Sequence, residues 1–124
     1  MNLIETEHSN VLLQNKSGMV TFPNGPSIAP IEVYYILENG SLLLFSLNSE
    51  LHSTSNLLQM SVTHMPDTPE SSVLHVHGER FLVQTANEIS EAKRKFHDRY
   101  KTVFPGKKLY CVKVRIKGTE LGKK

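Results

Sequence analysis

The pair Asn39-Gly40 constrains this chain more than any other local feature. It stands between residues 27–37, rich in Ile, Val and Tyr, and residues 41–47, rich in Leu. Asn and Gly both accept the positive φ of a type I′ loop, whose twist matches that of paired strands. A tight hairpin is therefore predicted, with the two runs pairing antiparallel. A second turn, Pro23-Asn24-Gly25-Pro26, joins a short strand at 19–22 to the first of those runs for the same reason. Pro30 has no N–H to donate, which predicts an edge, a bulge or a kink at that point.

The remaining segments add two helices and three strands. Residues 2–15 are helix-compatible, with Leu3, Val11 and Leu12 on one broad face and Glu5 and Glu7 near the start, where the macrodipole favours acids. Residues 48–59 open on cap-type side chains and space Leu51, Ser55 and Leu58 helically, so a short helix is expected. Residues 60–65 return to strand, 66–70 form a loop, and 72–84 read as a long strand interrupted by Gly78. From residue 87 a longer helix carries Ile89, Ala92, Phe96 and Tyr100 as an apolar stripe. A last strand, 108–116, sets Val112, Val114 and Ile116 against Lys113, Arg115 and Lys117. Leu109 and Cys111 break that pattern by falling on the basic face. The tail, 118–124, is polar and is expected to fray.

With 124 residues, the chain is expected to hold one domain, 1–124, with no internal repeat or low-complexity tract. Strands predominate and tight turns join several neighbours, so the fold class is mainly β. About six antiparallel strands would close or nearly close a small barrel, with helices flanking it. The single cysteine, Cys111, excludes an internal disulfide framework and a multi-cysteine zinc site. The first residues lack a basic n-region and an apolar h-region, and no apolar run is long enough to cross a bilayer. A cytoplasmic protein with no membrane partner is the expectation.

The net charge of +2 conceals a division. Residues 1–72 hold one base, Lys16, against seven acids, and residues 73–124 hold thirteen bases against five acids. The bases cluster on the longer helix and the last strand. Binding of nucleic acid would need stacking aromatics beside them, whereas Phe96 and Tyr100 fit the apolar stripe. A solvated basic face is the preferred reading, and no nucleic-acid partner is expected.

Three motifs bear on chemistry. His75 and His77 share a strand face, as two metal ligands would, but a third ligand is not evident among His52, His64, His97 or the acids, and no metal is expected. Nucleophile elbows, Rossmann fingerprints and Walker loops are absent, and Cys111 in mid-strand reads as an inert core thiol. The densest hydroxyl cluster is Ser46, Asn48, Ser49, His52, Ser53, Thr54, Ser55 and Asn56. At a strand end entering a helix it suits either an anion cradle or an ordinary helix cap.

The succession of elements resembles the pyridoxamine-phosphate-oxidase-like FMN-binding split barrels. Four stretches carry the likeness: 18–26 with its strand, turn and Gly-x-Pro; 27–35 with Pro before an apolar strand; 49–57 ending in Asn56-Leu57; and 73–79, followed by Phe96-x-x-x-Tyr100 and a final strand. The resemblance implies a six-stranded antiparallel split β-barrel that forms a homodimer, with FMN at the subunit interface and a small-molecule substrate of unknown identity. It would seat the flavin phosphate on Ser46, Ser49, Ser53 and Ser55, and the ring beside Ile31 and Val33. His52, in the same segment, is the nearest candidate for a proton-transfer role. Members of this family commonly carry Arg or Lys in the phosphate segment, and 51–55 has none. The resemblance therefore leaves the phosphate to helix N–H groups and hydroxyls alone, or to Lys107, Lys108 or Arg115 of a second subunit, or leaves the site empty. The C-terminal substrate grip of the true oxidases is absent, so vitamin B6 oxidation is not expected. The implied function is a flavin-dependent oxidoreductase; the alternative is a non-catalytic member that has lost FMN or binds another anionic ligand such as heme.

Overall fold

In the computed structural model, which describes residues 6–22, 30–38, 40–52, 57–64, 72–102 and 109–123, six strands form one closed antiparallel barrel. They are β1 (Ser17–Thr21), β2 (Ile31–Glu38), β3 (Ser41–Ser46), β4 (Leu57–His64), β5 (Ser72–Val83) and β6 (Tyr110–Lys123). Their order around the barrel is β1-β2-β3-β6-β5-β4, closed by β1 against β4. Two helices, α1 (Thr6–Gln14) and α2 (Ala86–Tyr100), flank it, and a 3₁₀ turn spans Ser49–His52. The predicted hairpin is present: Glu38 pairs with Ser41, and Gly40 holds φ at +71°. Asn39 and the turns predicted at 23–26 and 66–70 lie outside the described residues.

Period-two alternation fills the interior. Val20, Val33, Tyr35, Leu44, Met60, Val62, Leu74, Val76, Val112, Val114 and Ile116 point inward and are 2% exposed or less. Each such Val or Leu contributes about 1.5–3 kcal/mol by leaving water. Leu12 of α1 closes one end of this core, and Leu51 of the 3₁₀ turn closes the other.

A second apolar cluster forms outside the barrel wall, where α2 lies. Ala92 and Phe96 pack on Leu43, Phe45, Val83 and Cys111, with Ile89, Tyr100 and Leu109 at the margin. This explains why every residue of β3 is buried, since one face lines the barrel and the other lies under the helix. It also explains Leu109 and Cys111, which stay on the outer side with Lys113 and Arg115 but at the end of that side that α2 covers. Thr85 caps α2 through a reciprocal capping box with Glu88.

Four expectations need correction. Of the helix expected over 48–59, the described residues show a 3₁₀ turn at Ser49–His52, residues 53–56 lie outside them, and Leu57 and Leu58 already belong to β4, with Leu58 pointing into the core. Pro30 stands immediately before β2, where its missing N–H costs no ladder bond, and residues 27–29 of the expected strand lie outside the described residues. β1 begins at Ser17, so the first strand starts two residues earlier than its apolar run, while residues 2–5 of the expected first helix lie outside the described residues. The tail is not frayed: β6 pairs with β5 out to Lys123. Between Ile116 and Gly118, β6 carries one more residue than β5 does between Gly78 and His77, a bulge that changes inward parity from even to odd. Thr119 and Leu121 then face Val76 and Leu74, which is why the tail shows no continuous alternation.

Candidate functional site

The start of β2 and the end of β3 lie together at the barrel end closed by Leu51. There the chain leaves β3 through Leu47 and Asn48 into the 3₁₀ turn, leaving a cleft of about 310 Å³. Pro30, Tyr34 and Leu47 give it apolar walls, Glu32, Ser46 and Asn48 give polar ones, and the buried Ile31 and Phe45 form its floor. A second cleft of about 200 Å³, lined by Lys16, Gly18, Met19, Ser61 and Thr63 among others, shares Glu32 with the first. The two clefts therefore continue across the outer face of β1 and β2.

The Ser46 hydroxyl donates to the Glu32 carbonyl at 3.2 Å and accepts from the Asn48 amide at 3.0 Å. It latches the end of β3 to β2 and is only 5% exposed. Asn48 caps the 3₁₀ turn, its Oδ1 accepting from the Glu50 amide at 2.9 Å and its carbonyl from the Leu51 amide at 3.2 Å. Ser49 is exposed at the first position of that turn. His52 Nε2 lies 2.8 Å from the Cys111 carbonyl, so it carries the proton of the neutral ring and leaves Nδ1 as the acceptor. The His52 ring also meets Tyr110 edge to face, centroids 5.4 Å apart.

Among the residues expected at the site, Ile31, Ser46, Ser49 and His52 are thus brought to one end of the barrel. Ile31 presents the cleft with a floor, being 2% exposed. Val33 points into the barrel core and away from the cleft. Ser53, Ser55 and Lys107 lie outside the described residues.

Sequence reasoning passed over Arg80. It extends from β5 toward the same barrel end, is 8% exposed, and donates from Nη1 to the Leu51 carbonyl at 3.2 Å. Its Nε is buried without a partner. Burial pushes its pKa down from the ordinary guanidinium value, yet an arginine remains charged in a protein. A signal was present, because Arg80 shares strand parity with Leu74 and Val76. The cleft's apolar walls suit a planar ring, and the unpartnered Nε of Arg80, which is not in the cleft's lining but reaches it through Leu51 and Asn48, is a donor that an anionic group would satisfy.

The other clusters are quieter. His75 Nδ1 lies 3.0 Å from Ser61 Oγ and 3.1 Å from Gln59 Nε2. Among the described residues no group of three or more His, Cys, Asp or Glu side chains could hold a metal. The bases are interleaved with acids: Arg94 bridges Glu91 and Asp98, Lys95 meets Glu38 at 2.8 Å, and Arg115 and Lys117 share Glu79. Among the described residues no helix is long and apolar enough to cross a membrane.

No protein-family model matches the chain, and no curated protein does. Solved structures do match over nearly its whole length. A FAD-binding protein from Mesorhizobium loti superposes with a TM-score of 0.68 at 14% identity, covering 98% of this chain and 96% of that one. The FAD-binding protein from Mycobacterium smegmatis gives 0.69 at 15% identity, covering 98% and 97%. A candidate pyridoxamine 5′-phosphate oxidase from Corynebacterium glutamicum gives 0.73 at 16% identity, covering 98% and 94%. The chain shares its fold with these structures, a closed six-stranded antiparallel barrel with flanking helices. In this barrel the cleft is walled by the ends of β2 and β3, and its described lining includes no Lys or Arg.

Proposed function

We propose that this split barrel is a flavin-binding protein, that the flavin is FMN, and that the working form is a cytoplasmic homodimer acting as an oxidoreductase. The cleft between the start of β2 and the end of β3 carries the proposal. It has apolar walls for a ring system, and it adjoins a turn behind which a buried guanidinium waits without a full set of partners. Two structures of the same fold are named as FAD-binding, which supports a flavin in preference to other aromatic ligands. At about 310 Å³ the cleft is at the small end for a ligand pocket, so a flavin would need a second surface to cover it. The outer wall of β1, β4 and β5 offers one: Met19, Leu57 and Phe81 are each more than 40% exposed there.

A bound flavin would supply the redox chemistry, accepting and passing on reducing equivalents. The chain's own part is to position it. Tyr34 and Leu47 would flank the ring, the Ser46 latch would hold the cleft's shape, and His52 Nδ1 is the nearest described imidazole acceptor at this end of the barrel.

The test is direct. Purified protein is examined for flavin absorbance and titrated with FMN, with flavin fluorescence as the readout and sedimentation reporting the oligomer. Uptake with a dimeric mass is the expected result, and a colourless protein that leaves FMN fluorescence unchanged overturns the proposal. One observation favours a second reading, a non-catalytic member that has lost FMN. Glu32 places a carboxylate in a cleft whose described lining has no base, which opposes a phosphate there. A folded sample that takes up no FMN is the outcome this second reading calls for.

A further inference from the structure

Arg80 is 92% buried and, among the described residues, meets one neutral acceptor, the Leu51 carbonyl. Its neighbour Glu79 is engaged elsewhere, with Arg115 at 3.1 Å and Lys117 at 3.7 Å. Among the described residues no carboxylate pairs with the Arg80 guanidinium. A buried charge in that condition is costly, and an apolar side chain of similar size would be tolerated better. A clamp on Leu51 alone would need a single N–H.

The bonding pattern shows where the remaining capacity lies. Nη1 is committed to Leu51, whereas Nε, buried and unpartnered, belongs to the opposite edge of the guanidinium. The Nε–H and Nη2–H of that edge are parallel and spaced to grip two oxygens of a phosphate or carboxylate. Leu51 in turn is held to Asn48, which lines the cleft. One turn of chain therefore joins the unpartnered Nε to the candidate site.

We infer that Arg80 binds the anionic group of the ligand at this end of the barrel, gripping a phosphate through its Nε edge. The assignment of that phosphate to FMN rests on the function proposed above; the edge itself requires only two oxygens of an anion. Arg80 also supplies, from the basic half of the same chain, the cation missing from the phosphate segment.

The test compares the wild type with Arg80→Met and Arg80→Lys. Affinities for FMN and for riboflavin, which lacks the phosphate, are measured by fluorescence titration. Unfolding temperatures of the ligand-free proteins are recorded with and without inorganic phosphate. The Met variant is expected to be at least as stable as the wild type without ligand and to bind FMN about tenfold to a hundredfold more weakly, with riboflavin affinity unchanged. Equal FMN affinity in the wild type and the Met variant overturns the role of Arg80 and leaves the flavin reading intact. A wild type that binds neither flavin overturns the flavin reading instead. Inorganic phosphate then decides: a rise in unfolding temperature that the Met variant lacks supports Arg80, and no rise overturns it. If the Met variant does not fold, the Lys variant decides, weakened FMN binding with unchanged riboflavin binding supporting the role and unchanged FMN binding overturning it.

Discussion

The Tyr35 hydroxyl donates to the Leu12 carbonyl across 2.6 Å, joining the middle of β2 to the last turn of α1. Helix ends leave their final carbonyls without intrahelical partners. In α1 these carbonyls are met by side chains from three directions: Val11 accepts from Asn15 at 2.8 Å, Leu12 from Tyr35, and Leu13 from Arg99 at 3.1 Å. The helix is thereby held on the barrel by groups its own sequence does not contain.

Tyr35→Phe keeps the ring and removes the donor, leaving a buried carbonyl unpaired. Stability is expected to fall by about 1–3 kcal/mol, read as a lower urea midpoint with unchanged slope. An unchanged midpoint would show that the bond contributes nothing net.

Gly78→Ala is expected to destabilise more than an ordinary strand substitution. A Cβ there would lie 2.3 Å from Val114 Cγ1 and 2.6 Å from the Arg115 carbonyl, and a backbone atom cannot step aside cheaply. A loss of about 1–3 kcal/mol or more is the expected outcome of such overpacking. Combined with Val114→Ala, the loss should be smaller than the sum of the two single changes, because one of the two clashes is then gone. Strict additivity would place the strain elsewhere.

Ser46→Ala tests whether that hydroxyl is a latch or a ligand contact. It loses its bonds to Glu32 and Asn48, and the ligand-free protein should become less stable by about 1–2 kcal/mol. Unchanged ligand-free stability with weakened flavin binding would reverse the assignment.

Cys111 makes stability depend on alkaline pH. Burial, followed by the charges of Glu38 and Glu88, pushes its thiol from 9.0 up to about 12. The folded state keeps a proton that the unfolded state releases, so the contribution is fully present below about pH 9 and is lost as pH rises toward about 12. The slope reaches about 1.4 kcal/mol per pH unit. Cys111→Ala, although less stable at neutral pH because of its cavity, should show a flatter decline across that window. Parallel declines in the two proteins would contradict the assignment, and the native thiol should resist alkylation at neutral pH.

The α2 stripe and the β2–β3 hairpin were legible because each depends on neighbours within a few positions. Ala92 and Phe96 recur at helical spacing, and Asn39-Gly40 carries its backbone preference in two residues. The stretch around Leu51 and Leu58 misled for a related reason. Their spacing suits a helix, but Leu51 plugs the barrel end while Leu58 lines it from β4, and two separate burials imitate one periodic face. In the candidate site, the hydroxyl-rich segment was visible as composition, whereas the engagement of Ser46 with Glu32 and of His52 with Cys111 depends on strands distant in sequence.

Local chemistry alone determined the turn at Asn39-Gly40, the inward sets of β5 and of the first half of β6, and the apolar stripe of α2. Side-chain direction follows from backbone period, and backbone period is a local property. Only closure of the barrel decided that Cys111 lies beneath α2, that the last strand continues past its bulge to Lys123, and that Arg80 stands behind Leu51. Each of those outcomes depends on which remote surface covers a face, and burial by a remote surface leaves no period in the chain it covers.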